Sequence, residues 1–389
     1  MVSFVKGAPE DFEDILDFGN YVFSIDFKEL LPKVYNAKID TATNHLLVKE
    51  NDKIKAMVGC FPLELNVLDI TLKVKGIGTV SVHPYSRNKG YMIELMNKTV
   101  NEMKEESIDF AILGGQRQRY EYFGFTPTGS QVIFEINRVN LKHNKMSYDN
   151  NISLSTFDEL SEDELKRIYS LFNKQQVHCT RDLISFVDIC KSWKSNPLGI
   201  YNRDKLLGYV ILSENFDKVI EIYLEDYEIL GNVLSNIISE FNKDKIDVVV
   251  AMFRQEPIGY LASICESYKI QPITCLNIFN YKNFIKAFLN LKSKYEVLVE
   301  GQLIIEILNR DKIIIKVGND ITVEDTQLSA DIKMSHLEAM NFLCSSLRTF
   351  NHEHSLVSEQ SLVSEQSRKN SLIKSWFPLP FFFPEIDNV

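Results

Sequence analysis

Along residues 76–103 the spacing of apolar positions changes period once, and that change predicts a strand followed by a helix. Val80 and Val82 alternate with Thr79 and Ser81 ahead of Pro84, the period of two expected of a strand. Met92, Leu95, Met96, Val100 and Met103 then recur at helical spacing, which gathers them on one face. A polar run, Ser86-Arg87-Asn88-Lys89-Gly90, lies between. A strand that passes through such a loop into a helix N-terminus leaves backbone N–H groups unpaired, and the positive end of the helix dipole lies beside them. Such a place holds a phosphate or pyrophosphate. Gly90 lets the backbone come close to the ligand, and Arg87 and Lys89 add charge.

The pattern on either side fills out a unit. Residues 2–5 read as a strand. A helix opening at Ala8-Pro9 turns Phe12, Ile15, Leu16, Val22 and Phe23 inward. A hairpin follows over residues 45–50 and 54–61, about Asn51-Asp52. Residues 110–113 are a short buried strand, 117–122 a short helix or turn, and 131–137 a strand that closes the unit. The plan then repeats as a hairpin (198–212), a strand (219–224), a helix (229–241) and a strand (246–253). Where the first copy has its basic loop, the second has Tyr227-Glu228-Ile229-Leu230-Gly231, with no arginine or lysine. The second copy is expected to have lost its anion site.

From about residue 287 the texture changes. Strands are expected over 295–307 and 312–317, about a turn at Asn309-Arg310-Asp311, and again over 331–334. A helix over 335–347 would be capped by Ser335, with Glu338 at its third position. Residues 355–366 repeat SLVSEQ in tandem without a core pattern and are expected to be an exposed loop. The stretch WFPLPFFFP at 376–384 is too aromatic for a free tail and must be buried.

A length of 389 residues exceeds one ordinary core and suggests two or three domains. The net charge of -10 argues against a nucleic-acid partner and suits a cationic substrate. No apolar run reaches membrane-span length, and residues 1–12 do not read as a signal peptide. The six cysteines are widely spaced without metal-site spacing, so reduced thiols in a cytoplasm are expected and no metal. His352 and His354 sit in a polar stretch and read as surface residues.

The loop at Arg87 and Gly90 resembles the acetyl-CoA motif of the GNAT N-acetyltransferases, except that its last place holds Met92. Together with the degenerate repeat and the aromatic tail, it makes the whole chain resemble the enhanced intracellular survival family of aminoglycoside N-acetyltransferases. The resemblance implies an α/β and α+β protein in three parts: a GNAT module at residues 1–138, a degenerate GNAT module at 139–286, and a sterol-carrier-protein-like domain at 287–389. It implies acetyl-CoA on the first module. The backbone of Val80, Ser81 and Val82 would hold the pantetheine arm. The loop Arg87, Asn88, Lys89, Gly90, Tyr91, Met92 and Ile93 would hold the pyrophosphate. Tyr120-Glu121-Tyr122-Phe123-Gly124-Phe125 is similar to the family's Tyr-x-x-Phe-Gly-Tyr segment, with Phe125 in its last place. Tyr120 then matches the acid that protonates the leaving thiolate, and Gly115 the small cofactor-contacting residue before it. The family's C-terminal carboxylate lies in the active site, which implies the same for Val389 as general base.

The expected reaction is direct attack of a primary amine on the thioester. The expected acceptor is a cationic small molecule such as an aminoglycoside, with Asp26, Glu385 and Asp387 as candidate acidic contacts. Acetylation of protein or peptide amines is an alternative, and a non-catalytic lipid or small-molecule carrier is an alternative of another class. The resemblance also implies a homo-oligomer, a hexamer.

Overall fold

A computed structural model describes residues 2–35, 41–347 and 363–389. The first part of the chain forms β1 (Val2–Lys6), α1 (Phe12–Phe23), α2 (Phe27–Leu30), α3 (Pro32–Tyr35), β2 (His45–Glu50), β3 (Lys53–Val67) and β4 (Ile70–Val82). The loop after β4 leads into α4 (Tyr91–Glu105), followed by β5 (Phe110–Leu113), α5 (Arg117–Tyr120) and β6 (Thr126–Thr128). The period change in the sequence is realised here: α4 buries Leu95, Met96, Val100 and Met103 on one face against the sheet.

The next stretch forms β7 (Gln131–Asn137), α6 (Arg138–His143), β8 (Ile152–Thr156), α7 (Glu162–Asn173), β9 (Val177–Cys179) and α8 (Phe186–Lys191). It continues as β10 (Asn196–Asn202), β11 (Lys205–Leu212), β12 (Lys218–Leu224), α9 (Leu230–Glu240), β13 (Lys245–Ala251), α10 (Gln255–Ile264), β14 (Ser267–Gln271) and β15 (Thr274–Ile278). The last stretch holds α11 (Tyr281–Lys292), β16 (Gly301–Ile307), β17 (Lys312–Val317), β18 (Ile321–Asp325), β19 (Ile332–Met334), α12 (His336–Cys344) and α13 (Val363–Trp376).

The strands form three sheets. The first runs β1-β2-β3-β4-β5-β15-β6, with β9 also paired to β3; the second runs β14-β7-β13-β12-β11-β10-β8; the third runs β18-β17-β16-β19. This corrects one expectation. Residues 131–137 do not close the first sheet: β7 pairs with β13 and β14 in the second. The place beside β5 is taken by β15, which returns from far along the chain to lie between β5 and β6. The residues explain the exchange. Val132, Ile133 and Phe134 are apolar on successive positions and all buried, so β7 needs cover on both faces. Gly129, at φ 79°, makes the left-handed step that turns the chain out of β6.

In the last part, the helix begins at His336 with the expected capping box between Ser335 and Glu338. The strand expected from residue 295 begins only at Gly301. His352, His354 and residues 355–362 lie outside the described residues. The last four residues of the duplication open α13, so they are helical rather than looped.

The aromatic tail is buried, as its composition requires. Trp376, Phe377, Leu379, Phe381 and Phe383 pack into the core shared by the third sheet, α11 and the first sheet. Ile386 enters a core of the second part with Phe157, Phe172 and Tyr209. Val389 reaches the core formed by α1, α2, α3 and β3. About a dozen consecutive residues therefore pass through three cores.

Candidate active site

The site begins where two strands part. β4 pairs in parallel with β5 from Val74–Phe110 to Ile77–Leu113, and the ladder stops there. On its other side, β4 keeps pairing with β3, but the register shifts between Met57 and Gly59, opposite Ser81 and Gly78. Thr79 stands in this bulge at φ 49°. That conformation is strained for a β-branched residue, and such strain collects where a bulge re-aims a strand beside a site. From Gly78 to Val82 the edge of β4 that would face β5 is thus open.

A cleft of about 680 Å³ lies along this open edge. Val80, Ser81 and Val82 form one wall, and residues 86–93 close one end. Val22 and Phe23 of α1 and Arg119 stand on the other side. Every expected cofactor residue except Gly115 lines it. Asn88 and Gly90 take left-handed backbone angles, φ 63° and 80°, which fold the loop back on itself. The first helical hydrogen bond runs from Glu94 N to Gly90 O at 3.1 Å, so the amides before Glu94 in α4 have no partner within the helix. Lys89 reaches Glu50 at 3.5 Å, whereas Arg87 is exposed and forms no ion pair among the described residues. Phe23, expected to face inward, is 39% exposed and edges the cleft instead. We expect Arg87→Ala combined with Lys89→Ala to weaken CoA binding roughly tenfold or more, since charge-assisted contacts are the stronger kind. Pantetheine lacking phosphate should be unaffected. Calorimetric titration of both ligands checks this, and equal losses would remove the loop from pyrophosphate binding.

Tyr120 ends α5 and is buried, with its ring laid over Gly115. A Cβ at residue 115 would stand 2.4 Å from Cε2 of Tyr120, so the small residue is required by the tyrosine itself. The turn that follows is held from other parts of the chain. Gly124, at φ 87°, has its carbonyl 3.2 Å from Nε2 of His336, and Asn277 Nδ2 donates to Phe123 O at 3.0 Å. The Tyr120 hydroxyl makes no hydrogen bond among the described residues. Burial raises its pKa, which keeps the phenol protonated.

Val389 lies against β4 on the far side of the bulge. A Cβ on Gly76 would stand 2.3 Å from Cγ2 of Val389, and one on Gly78 would stand 2.9 Å from its carboxyl carbon. Positions i and i+2 of a strand share a face, so these two glycines clear one face of β4 for the last residue. Neither glycine was singled out from the sequence. The signal was there: a Gly-x-Gly inside a strand marks close approach of another chain segment. We expect Gly78→Val to displace Val389 and lower acetyl transfer roughly tenfold or more with CoA affinity unchanged. Unchanged turnover in a steady-state assay would count against a role for that packing.

The candidate acidic contacts fall elsewhere. Asp387 is buried and bound by Arg181 at 2.8 and 3.0 Å, so it is not a free anion on a substrate wall. Glu385 is paired with Lys218 at 2.6 and 2.7 Å. Asp26 caps α2, accepting from Lys28 N at 2.9 Å and Glu29 N at 3.4 Å. Each carboxylate already has a local task that its spacing did not reveal.

The corresponding place in the second sheet is filled by protein. β12 and β13 pair only at Lys218–Asp247 and Val219–Val248 before they part. The Arg254 guanidinium donates to Ile222 O at 3.2 Å there and stacks on Tyr223 at 4.6 Å. At the start of α9, Gly231 N donates to the Tyr260 hydroxyl at 3.2 Å, and Met146 packs on the same glycine. Among the described residues no cluster of His, Cys, Asp and Glu could hold a metal ion, and no helix is long and apolar enough to cross a membrane.

Residues 5–128 match the acetyltransferase (GNAT) domain family. No curated protein sequence matches the chain. Several solved structures share its fold. A GCN5-related N-acetyltransferase from Anabaena variabilis is 16% identical, with a TM-score of 0.69 over 100% of both chains. A probable N-acyltransferase of unknown function from Enterococcus faecalis is 15% identical, with a TM-score of 0.64 over 86% of this chain and 87% of that one. Eis1 from Mycobacterium abscessus is 13% identical, with a TM-score of 0.62 over 100% of both. The strand-edge cleft, the loop at the helix start and the domain match agree: residues 5–128 carry a GNAT acetyltransferase domain, and the chain is an acetyl-CoA-dependent N-acetyltransferase.

Proposed function

We propose that the chain acetylates a primary amine of a cationic small molecule such as an aminoglycoside, with acetyl-CoA on the first module alone. Acetyl-CoA supplies an acetyl group activated as a thioester. The open edge of β4 at Val80 and Val82 would hold the pantetheine arm and polarise the carbonyl through a backbone N–H. Residues 87–93 would hold the pyrophosphate. The Val389 carboxylate would take the proton from the incoming ammonium, whose pKa near ~10 keeps it charged at neutral pH. As the nitrogen–carbon bond forms and the carbon–sulfur bond breaks, the Tyr120 hydroxyl would give its proton to the departing sulfur.

The observation that carries this reading is the 680 Å³ cleft, basic at its loop end, with the Val389 carboxyl against Gly78 of the same strand. Gly78 is two residues from Val80, about 7 Å along a strand, so a base there is close to an acetyl group held at the bulge. An anionic group at that place also favours a cationic acceptor. The filled cleft in the second sheet supports one cofactor per chain. We read residues 287–389 as a sterol-carrier-like fold whose interior is occupied by the chain's own Trp376, Phe377 and Phe381, which speaks against a lipid-carrier role. The six cysteines are all unpaired, in keeping with a cytoplasmic setting, and we propose a homo-oligomer, a hexamer, testable by sedimentation velocity.

The experiment is thiol release from acetyl-CoA across a panel of aminoglycosides, polyamines and peptides. Turnover with the cationic small molecules supports the proposal. Turnover confined to peptide amines would overturn it in favour of protein acetylation, and thiol release with none of them would overturn both.

A further inference from the structure

The tail that carries Val389 is gripped by the module without a cofactor cleft. Arg181, just after β9, is wholly buried. Its guanidinium donates to Asp387 through Nε at 3.0 Å and Nη2 at 2.8 Å, and to Glu221 of β12 through Nη1 at 3.1 Å and Nη2 at 2.9 Å. The Phe172 ring lies 3.9 Å from the guanidinium carbon, and Tyr209 donates to Glu221 at 2.6 Å. From the other side, Lys33 of α3 donates to the carbonyls of Ile386 at 2.5 Å and Asn388 at 2.6 Å. Trp193 Nε1 donates to Asn388 O at 3.0 Å.

We propose that Arg181 is a positioning residue for acetyl transfer: through Asp387 it sets where the Val389 carboxyl stands. Burying a guanidinium and two carboxylates is costly, and well-packed apolar residues would hold the tail as firmly. An apolar contact, however, fixes neither rotation nor register. A bidentate guanidinium fixes both, because its planar fork admits one orientation of each carboxylate. Asp387 is two residues before Val389, too few for slack to accumulate. The polar contacts made by Arg181, Lys33 and Trp193 fall on three consecutive residues, Ile386, Asp387 and Asn388, although apolar packing alone already buries residues 376–383. The second module, with its own cleft filled, thereby takes part in catalysis at the first.

This inference rests on the reading of Val389 as the base. The test is Asp387→Asn, which keeps the shape of the side chain and leaves Arg181 paired with Glu221. Turnover of the amine should fall roughly tenfold or more, while KM for acetyl-CoA moves less than about twofold. Arg181→Lys, which keeps charge but loses the fork, should also be slow. A drop in melting temperature with kcat unchanged would show that the cluster serves stability only and overturn the proposal. Should Asp387→Asn fail to fold, Trp193→Phe removes one partly exposed contact to the same tail and should lower kcat several-fold at constant melting temperature; no change in kcat would overturn the proposal.

A double-mutant cycle separates the two readings. Two residues are appended after Val389, and Asp387→Asn is added to that extended chain. If the clamp acts through the Val389 carboxyl, Asp387→Asn lowers the residual rate by less than about twofold. Additive losses would overturn the clamp. A slow extended chain beside a fully active Asp387→Asn would sink the clamp and leave the base standing. A fully active extended chain would sink the base, and the clamp with it.

Discussion

Appending two residues after Val389 is expected to slow amine acetylation roughly a hundredfold or more while acetyl-CoA still binds. The extension turns a carboxylate into a neutral amide and asks for room where there is little. Gly76 and Gly78 clear one face of β4 for Val389 alone, with a Cβ on Gly78 already within 2.9 Å of the carboxyl carbon. An α-carboxyl has a pKa near ~3.5 in water, far below that of an alkyl ammonium, so its value as a base lies in position. The partly buried setting among Ile15, Leu16 and Phe61 raises the strength of any contact with a cationic amine. Positioned proton transfer commonly contributes a hundredfold to ten-thousandfold. Deleting Asn388 and Val389 should act the same way. Binding of acetyl-CoA is the control, because the cleft residues 80–93 do not touch the tail's anchors. An extended chain with full turnover would show that the proton leaves by another route.

Tyr120→Phe is expected to lower turnover about a hundredfold with CoA affinity and melting temperature close to those of the parent. The change removes one oxygen that makes no hydrogen bond among the described residues, so no buried partner is left unsatisfied. The ring over Gly115 stays. Burial raises the pKa of the phenol, so the wild-type acid remains protonated through neutral pH and above, and its rate should not fall on the alkaline side before ~10. The deficit of the variant should shrink with thioesters whose thiols leave easily, since these need no proton. A uniform deficit across leaving groups, or wild-type turnover, would make Tyr120 a packing residue.

The local parts of this site were legible in the sequence because their causes are local. The strand, basic loop and amphipathic helix from Thr79 to Met103 follow from periodicity. The box between Ser335 and Glu338 follows from spacing, and burial of the Trp376 tail follows from its composition. What could not be read depends on partners far along the chain. Asp387 looks like any solvated carboxylate until Arg181 is beside it, and Glu385 until Lys218 is. Gly76 and Gly78 look like weak points of a strand until Val389 lies on them. The placement of β7 was misjudged because neighbouring strands usually pair, and only the all-apolar run Val132-Ile133-Phe134 hinted at cover on both faces.

The exchange of β7 and β15 has a consequence for heredity. The first sheet needs Thr274–Ile278 between β5 and β6, and the second needs Gln131–Asn137 between β13 and β14. A crossover anywhere from residue 138 to 273 would hand each product one sheet with an incomplete set of strands. The catalytic half cannot be shuffled into other proteins as a cassette; the two halves must be inherited, and drift, together.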